Sequence, residues 1–167
     1  ANQAWTPKQA VRLLNRMQDA GLDIELVEQP VKAHDLEGLK FVTANSPVPV
    51  LADESVFSPR DALRIMQERA ADMVNIKLMK CGGLTNALRI VSAAEVYSVE
   101  CMMGCMLEAK VSVTAAAHLA CARSAITRID LDGPALCSED PVEGGAIFEG
   151  SIISLTEAPG LGITGID

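Results

Sequence analysis

The stretch from Met73 to Leu84 reads MVNIKLMKCGGL, and it contains the unit from which the rest of the chain is built. Its first half, Met73–Leu78, is mostly apolar and rich in β-prone residues, which predicts a short buried strand. Gly82 and Gly83 interrupt this run, and a helical pattern follows from Leu84 to Tyr97. One strand, one turn and one helix make a βα unit.

Similar units recur on both sides of this stretch. Four more β-rich runs lie at intervals close to 25 residues, namely Ile24–Val27, Val48–Leu51, Val99–Met103 and Ile126–Ile129. Helices are predicted between them, with starts at Thr6-Pro7 and Ser58-Pro59 and a further helical stretch from Ala109 to Ala122. Alternating strands and helices predict an α/β fold with a parallel sheet.

Two architectures fit this alternation, an open doubly wound sheet and a closed (β/α)8 barrel. The pair Gly82-Gly83 follows a strand, but the GxGxxG fingerprint of dinucleotide-binding sheets is not present there. A barrel needs eight strands, and five are predicted here. The residue pattern alone therefore leaves open whether the chain is a five-stranded open fold or about five-eighths of a barrel.

Composition excludes several classes of partner. The 167 residues are 49% hydrophobic and 22% charged, with a formal net charge of −8. An acidic chain of this kind is not expected to bind nucleic acid, since those proteins need a basic face. No apolar run of about 18 residues occurs, so no membrane span is expected. Five cysteines without paired CxxC spacing indicate reduced thiols and a cytoplasmic protein.

Charged residues close the predicted strands. Glu28 and Asp53 lie 25 residues apart, Lys77 follows 24 residues later, and Asp130 lies 53 residues after Lys77. Because catalytic groups of barrels stand at the carboxyl ends of strands, these side chains are expected to meet on one rim. A charge next to a hydrophobic strand is costly unless it is paired or binds a metal. The periodicity therefore predicts one shared polar site.

The residue types indicate a chemistry for that site. Glu28 and Asp53 offer hard oxygen ligands without histidine or cysteine in phase, which favours Mg²⁺ over zinc. A lysine beside such a cation is suited to remove a proton next to a carboxylate, while the metal takes up the charge of the enolate. We expect burial and the cation to lower the pKa of Lys77 for this task.

Three segments, in this order, resemble the muconate-lactonizing subgroup of the enolase superfamily. They are Val27-Glu28-Gln29-Pro30, Leu51-Ala52-Asp53-Glu54-Ser55 and Asn75-Ile76-Lys77-Leu78-Met79-Lys80-Cys81-Gly82-Gly83-Leu84. The resemblance implies a partial TIM-type (β/α)7β barrel made of about strands 4–8 with their helices. Residues 1–167 would be the C-terminal portion of that barrel domain, without the N-terminal capping domain and the first barrel strands. The first metal ligand and the opposing base would then precede Ala1.

The same resemblance assigns roles to individual residues. It implies that Glu28 and Asp53 are the second and third Mg²⁺ ligands and that Lys77 is an acid/base catalyst. Lys80, three residues further on, is expected on the rim or the surface.

The sequence Asp130-Leu131-Asp132 resembles the DxD motif of dipeptide epimerases in that subgroup, where two aspartates bind the α-ammonium group of the substrate. The segment from Met103 to Ala109 resembles the seventh strand region of the same enzymes. Three secondary candidates for the site are Glu108, Met106 and Asn2.

The implied activity is a Mg²⁺-dependent epimerisation of dipeptides of the L-Ala-D/L-Glu type, by 1,1-proton transfer through an enediolate. The alternatives within the superfamily are an N-acylamino-acid racemase, an o-succinylbenzoate synthase and a muconate cycloisomerase. A non-catalytic α/β binding or packing module is the alternative outside it. Residues 1–167 alone are expected to be inactive, and they would pair with an N-terminal segment or form a homo-oligomer.

Overall fold

A curled sheet of five parallel strands, with the order β1-β2-β3-β4-β5, forms half of a barrel in the computed structural model, which describes residues 1–166. Each strand pairs in parallel with the strand that follows it in sequence. The strands are Val27–Glu28 (β1), Val50–Ala52 (β2), Met73–Lys77 (β3), Glu100–Gly104 (β4) and Ile126–Asp130 (β5).

Helices cover one face of this sheet. They are Pro7–Asp19 (α1), Leu36–Asn45 (α2), Pro59–Glu68 (α3), the single turn Leu78–Cys81 (α4), Leu84–Tyr97 (α5) and Lys110–Ala122 (α6). Local chemistry fixes where they begin: Ser58 accepts a hydrogen bond from the backbone N–H of Asp61 at the start of α3, which satisfies one of the free donors of a helix N-terminus.

The alternation of side chains along the strands separates two environments. Val50, Ala52, Val74 and Ile76 point to the helices and belong to the same buried cluster as Ile90 of α5. Residues one position away along the strands point to the opposite, concave face. The hydrophobic core thus lies between sheet and helices, and the other face carries polar groups at the strand ends beside buried apolar side chains such as Leu51.

The chain after β5 is irregular. A 3-10 turn at Gly133–Leu136 is followed by two small antiparallel pairs, Val142–Gly144 (β6) with Ile163–Ile166 (β9) and Ile147–Glu149 (β7) with Ile152–Ser154 (β8). The hydroxyl of Thr114 in α6 accepts a 3.0 Å hydrogen bond from the backbone N–H of Ala146. This bond attaches the C-terminal segment to the helical layer. Within residues 1–166, no helix combines the length and apolarity that crossing a membrane requires.

The predicted alternation of five strands and intervening helices is confirmed, and the parallel sheet has the sequential order that a barrel requires. The first strand begins at Val27 rather than at Ile24, because its pairing with β2 extends only over Val27 and Glu28. The predicted Ala109–Ala122 helix starts one residue later, at Lys110. A helix between the first two strands was predicted without bounds and is α2, whereas the four short C-terminal strands were not predicted.

The packing of α5 leads to a stability prediction. Ile90 is 0% exposed, whereas Val96 in the same helix is 80% exposed. Ile90→Ala should lower the free energy of unfolding by about 2–5 kcal/mol, because it leaves a cavity between helix and sheet. Val96→Ala should change it by about 0.5 kcal/mol or less. Urea unfolding of both variants measures the difference, and equal destabilisation would contradict this account of the core.

Candidate active site at the carboxyl ends of the strands

The structure brings four of the predicted site residues to one edge of the sheet. Glu28, Lys77 and Asp130 are the last residues of β1, β3 and β5, and Asp53 directly follows β2. In the strand register Lys77 pairs with Gly104, and Gly104 pairs with Asp130. The three residues therefore lie side by side across the end of the sheet, and Gly104 places no side chain between the lysine and the aspartate.

Asp53 is the centre of the polar network. The residue is only 5% exposed, and its two carboxylate oxygens are bound by different lysines. Lys77 Nζ donates to Oδ2 at 2.8 Å, and Lys80 Nζ donates to Oδ1. A carboxylate in this position needs such partners, because an unpaired buried charge is strongly destabilising.

The backbone around Asp53 is fixed by Gln29, which is 0% exposed. The Gln29 Oε1 atom accepts hydrogen bonds from the backbone N–H groups of Asp53, at 2.9 Å, and Ser55, at 3.2 Å. Its Nε2 atom donates to the Val31 carbonyl and to the Ser55 hydroxyl. Gln29 itself has a φ of 34°, a region that non-glycine residues seldom adopt. The bonds of its side chain compensate for this strain and tie the end of β1 to the loop after β2.

Lys80 was predicted on the rim or the surface, and this prediction is wrong. Its side chain is only 4% exposed. The single turn α4 directs it back towards the sheet, where Nζ donates to the backbone carbonyl of Asp53 at 2.7 Å and to that of Asn75 at 3.3 Å, in addition to the Asp53 carboxylate. The Phe57 ring lies beside it, with its centroid 5.6 Å from Nζ. An ammonium group has three donors, so all those of Lys80 are used within the protein.

Lys77 and Lys80 thus differ in their freedom to react. Lys77 makes one side-chain hydrogen bond in the described part of the chain, to Asp53, and its side chain is 13% exposed. Burial lowers the pKa of Lys77, but the hydrogen bond to Asp53 and the charges of Asp53, Glu28 and Glu54 together raise it above the usual value. Three carboxylates around the amine account for this direction. The lowering expected from the sequence requires a cation beside Lys77 and stays a prediction. Burial lowers the pKa of Lys80 more than Asp53 raises it.

Glu28 lies beside this network and is contacted from two sides. Asn75 Nδ2 donates a 2.7 Å hydrogen bond to Glu28 Oε1, and the Ala1 amino group donates to the Glu28 backbone carbonyl at 2.9 Å. Asn2, a secondary candidate, is exposed and follows Ala1 at this edge with a φ of 47°. The backbone of Gln3 then donates to the Gln29 carbonyl at 2.7 Å. The first three residues of the chain therefore run along the end of β1.

Asp130 and Asp132 form an acidic pair at the other side of the site. Partial burial and the charge of Asp132 raise the pKa of Asp130, although Lys77 acts in the opposite direction. Neither aspartate makes an ion pair within residues 1–166. Both line a cleft of about 360 Å³, together with the apolar side chains of Phe148 and Ile153. A cation in this cleft would relieve the repulsion between the two carboxylates.

Glu108 and Met106 lie in the loop between β4 and α6. Glu108 is 4% exposed, and its oxygens accept hydrogen bonds from the Met106 backbone N–H, at 2.8 Å, and from the Ser112 hydroxyl. These bonds fix the loop against the start of α6, so both carboxylate oxygens are engaged locally. The Met106 side chain is 44% exposed. Cys105 in the same loop accepts a bond from the Gly133 N–H at 3.3 Å, which joins this loop to the one after β5.

Gln29, Asn75 and the buried position of Lys80 are the parts of the site that the sequence did not reveal. Gln29 and Asn75 are neutral amides inside strand-end segments. The periodic spacing of charged residues, on which the prediction depends, therefore does not include them. The signal that could have found them is polarity at a position where the strand pattern predicts full burial.

Comparison with known proteins agrees with this architecture. The family described as "Enolase C-terminal domain-like" matches residues 1–166. The L-Ala-D/L-Glu epimerase of Clostridium acetobutylicum is 65% identical over 167 residues, which are 100% of this chain and 47% of that protein.

Two solved structures show the same fold. The substrate-liganded complex of the L-Ala-D/L-Glu epimerase from Bacillus subtilis superposes with a TM-score of 0.97 at 52% identity, over 100% of this chain and 46% of that one. The dipeptide epimerase from Enterococcus faecalis, complexed with Mg and the dipeptide L-Leu-L-Tyr, gives a TM-score of 0.93 at 50% identity, over 98% of this chain and 46% of that one.

The chain spans about half the length of the curated relatives that it matches. Over that half, the family match, the identities and the superpositions all extend along nearly every residue. The chain therefore belongs to the enolase C-terminal domain-like family.

Proposed function

We propose that this chain supplies the metal-binding carboxylates, one catalytic lysine and the substrate ammonium site of a Mg²⁺-dependent dipeptide epimerase. The observation that carries the proposal is the arrangement of Lys77, which is bonded to Asp53 and lies in register with Asp130 at the same sheet edge. Relatives with 65% and 53% identity are L-Ala-D/L-Glu epimerases, which supports the same activity for a protein that contains this chain.

The donor set fits two ligands of a Mg²⁺ ion. Glu28 and Asp53 are carboxylates at adjoining strand ends, and both act on the charge of Lys77. Within residues 1–166, no cluster of three or more His, Cys, Asp or Glu side chains is placed to bind a metal. Two carboxylates are nevertheless sufficient as the protein part of many Mg²⁺ sites, where water and substrate complete the octahedron. The buried and unbonded Glu54 Oε2 is a further oxygen beside Asp53.

Bound at these carboxylates, Mg²⁺ would supply positive charge where negative charge develops on the substrate carboxylate. Lys77 would then accept the α-proton on Nζ as the neutral amine, after releasing its own proton, because binding of Glu28 and Asp53 to the cation would offset the charges that raise the pKa of Lys77. Lys77 is assigned this role rather than Lys80 because its side chain is the more exposed of the two, at 13% against 4%. Inversion needs a second base on the opposite face of the substrate, and we place that base outside residues 1–166. Lys80 takes no part in the proton transfer in this scheme and serves to orient Asp53.

The substrate proposed is a dipeptide with a free α-ammonium group. Asp130 and Asp132 would bind that group, because two close carboxylates without an ion-pair partner among the described residues form a cation site. The Enterococcus faecalis relative of similar structure is a complex with Mg and the dipeptide L-Leu-L-Tyr. The carboxylate end of the substrate would thus lie towards Glu28 and Asp53, and the ammonium end towards Asp130 and Asp132.

The sheet edges indicate how the site is completed. Strands β1 and β5 each pair on one side only within residues 1–166, and open edges are prone to pair with further strands. We infer that a preceding segment of the same polypeptide, or a second copy of the chain, covers these edges.

The catalytic assignment predicts the loss of proton exchange in one variant. In the longest natural polypeptide that contains residues 1–167, with Mg²⁺ and L-Ala-L-Glu in D₂O, the α-proton of the C-terminal residue should exchange with solvent. L-Ala-D-Glu is measured in the same way, because each epimer presents its α-proton to one face only. Lys77→Ala should slow exchange of the epimer whose proton Lys77 removes by about 10²- to 10⁴-fold, the usual contribution of a general base. NMR follows the loss of the α-proton signal. Lys8→Ala, at an exposed position of α1, is the control, and unchanged exchange of both epimers in Lys77→Ala would refute the role of Lys77.

The ammonium site predicts a difference between two substrates. Asp130→Asn and Asp132→Asn should each lower kcat/KM for L-Ala-L-Glu by about 10- to 100-fold, because each removes a charged partner of the ammonium group. Turnover of N-acetylated L-Ala-L-Glu, which lacks that charge, should change little. Asp19→Asn, exposed at the end of α1, is the matched control.

Equal effects on both substrates would remove the ammonium site from the proposal. The activity proposed would then be that of an N-acylamino-acid racemase, an o-succinylbenzoate synthase or a muconate cycloisomerase.

The open edges predict the behaviour of residues 1–167 expressed alone. Their mass in sedimentation should rise with concentration, and Ile129→Lys should reduce the rise, because a charged side chain on an edge strand disfavours pairing. Ile129 is 55% exposed on β5, and Val96→Lys on the exposed face of α5 is the control. A constant monomer mass would contradict the proposal that the open edges of β1 and β5 pair with further strands.

A further inference from the structure

Asn75 occupies an unusual place for a polar residue. It lies in the middle of β3, is 0% exposed, and points to the concave face together with Lys77. Its Nδ2 atom donates a 2.7 Å hydrogen bond to Glu28 Oε1, and Glu28 ends β1, two strands away in the sheet. The amide thus passes over the end of β2 to reach a carboxylate that the proposed function treats as a metal ligand.

The Asn75 side chain makes this contact while its carbonyl oxygen is left without a hydrogen bond among residues 1–166. Asn75 Oδ1 is buried and accepts no hydrogen bond from residues 1–166. The NH₂ group is the end that can face Glu28, because a carboxylate accepts hydrogen bonds and does not donate them. Buried polar atoms are usually paired, and an unpaired one disfavours the fold. This side chain is therefore poorly explained as a device for stability alone.

Gly104 provides the space for the amide. A Cβ atom built on Gly104 would lie 2.5 Å from Asn75 Oδ1 and 2.9 Å from Asn75 Nδ2, closer than van der Waals contact permits. The φ angle of Gly104 is outside the left-handed region, so the backbone does not require glycine there. The reason for glycine at this position is the side chain of Asn75.

We propose that Asn75 is a positioning residue that fixes Glu28 in the orientation required to bind Mg²⁺, and that Gly104 is needed to give the Asn75 amide its place. The proposal rests on the proposed function in one respect, because it takes Glu28 as a Mg²⁺ ligand. Hydrogen bonds from outer residues orient the ligands of a metal, and removing such a partner commonly costs about 10- to 100-fold in affinity. Asn75 is neutral, so its removal changes orientation without changing the charge of the site.

The test is a calorimetric titration with MgCl₂ of the longest natural polypeptide that contains residues 1–167. Asn75→Leu keeps the branched arrangement of the side-chain heavy atoms and removes the donor, and it should raise the Kd for Mg²⁺ by about 10- to 100-fold. Asn45→Ala is the matched control: it removes a similar 2.8 Å amide bond, from Asn45 Nδ2 to the Phe41 carbonyl, at an exposed site at the end of α2. Its Kd should equal that of the parent.

Gly104→Ala tests the steric part of the proposal. It should weaken Mg²⁺ binding in the parent, because the new methyl group displaces the Asn75 amide. In the Asn75→Ala background the space is free, so the same Gly104→Ala change should alter Kd by less than about twofold. An equal rise in the Kd for Mg²⁺ in both backgrounds would show that Gly104 affects binding independently of Asn75. That result would refute the steric part of the proposal.

Two reference variants separate the possible failures. If Glu28→Gln weakens Mg²⁺ binding and Asn75→Leu does not, the role of Asn75 is refuted and the proposed function stands. If Glu28→Gln and Asp53→Asn both leave the Kd unchanged, the proposed metal site fails, and the role of Asn75 fails with it. Urea unfolding without Mg²⁺ identifies a purely structural asparagine, which would lower stability in Asn75→Leu at unchanged Kd.

Discussion

The burial of the Asp53 carboxylate is the constraint on which the rest of the site depends. A carboxylate with this little exposure requires compensating charge, and two lysines from one segment provide it. Their spacing of three residues is possible because β3 ends at Lys77 and α4 turns the chain at once, so that both amines reach the same group from different sides. The sharp turn after β3 therefore has an electrostatic reason as well as a topological one.

The hydrogen bonds that hold Asp53 and Glu28 in place come from three neighbouring strands of the sheet. Gln29 at the end of β1 fixes the backbone of Asp53 after β2, Asn75 in β3 bonds back to Glu28 in β1, and Lys80 bonds to the carbonyls of both Asp53 and Asn75. Of these four bonds, only the one from Lys80 to Asn75 lies within a single strand and its following turn, and the others connect different strands. The polar network thus stabilises the relative positions of three strand ends on the concave face.

The repeat of strands and the charged residues in phase with it could be predicted from the sequence, because burial on both sides imposes apolar strands and parallel order brings their ends together. Glu28, Asp53, Lys77 and Asp130 were found in this way. Burial of Lys80 could not be predicted, since a lysine in a turn is ordinarily solvated and its main partner, Asp53, lies 27 residues away in sequence. The short strands after Gly133 carry too few residues to show a period.

The two sides of the site, around Asp53 and around Asp130, differ in charge. This difference arises from the way the charged residues are grouped in space. Around Asp53 two ammonium groups meet the carboxylates of Glu28, Asp53 and Glu54, so that charges of both signs lie together on that side. Around Asp130 the effect of the Asp132 charge on the pKa is larger than the opposing effect of Lys77, so negative charge prevails on that side. A molecule with a positive group at one end and a negative group at the other has a preferred direction in such a field. Because Lys77 and Asp130 both lie in register with Gly104 at the same sheet edge, the reacting carbon of that molecule would lie where Lys77 can reach it, and the direction of binding selects the atom that loses its proton.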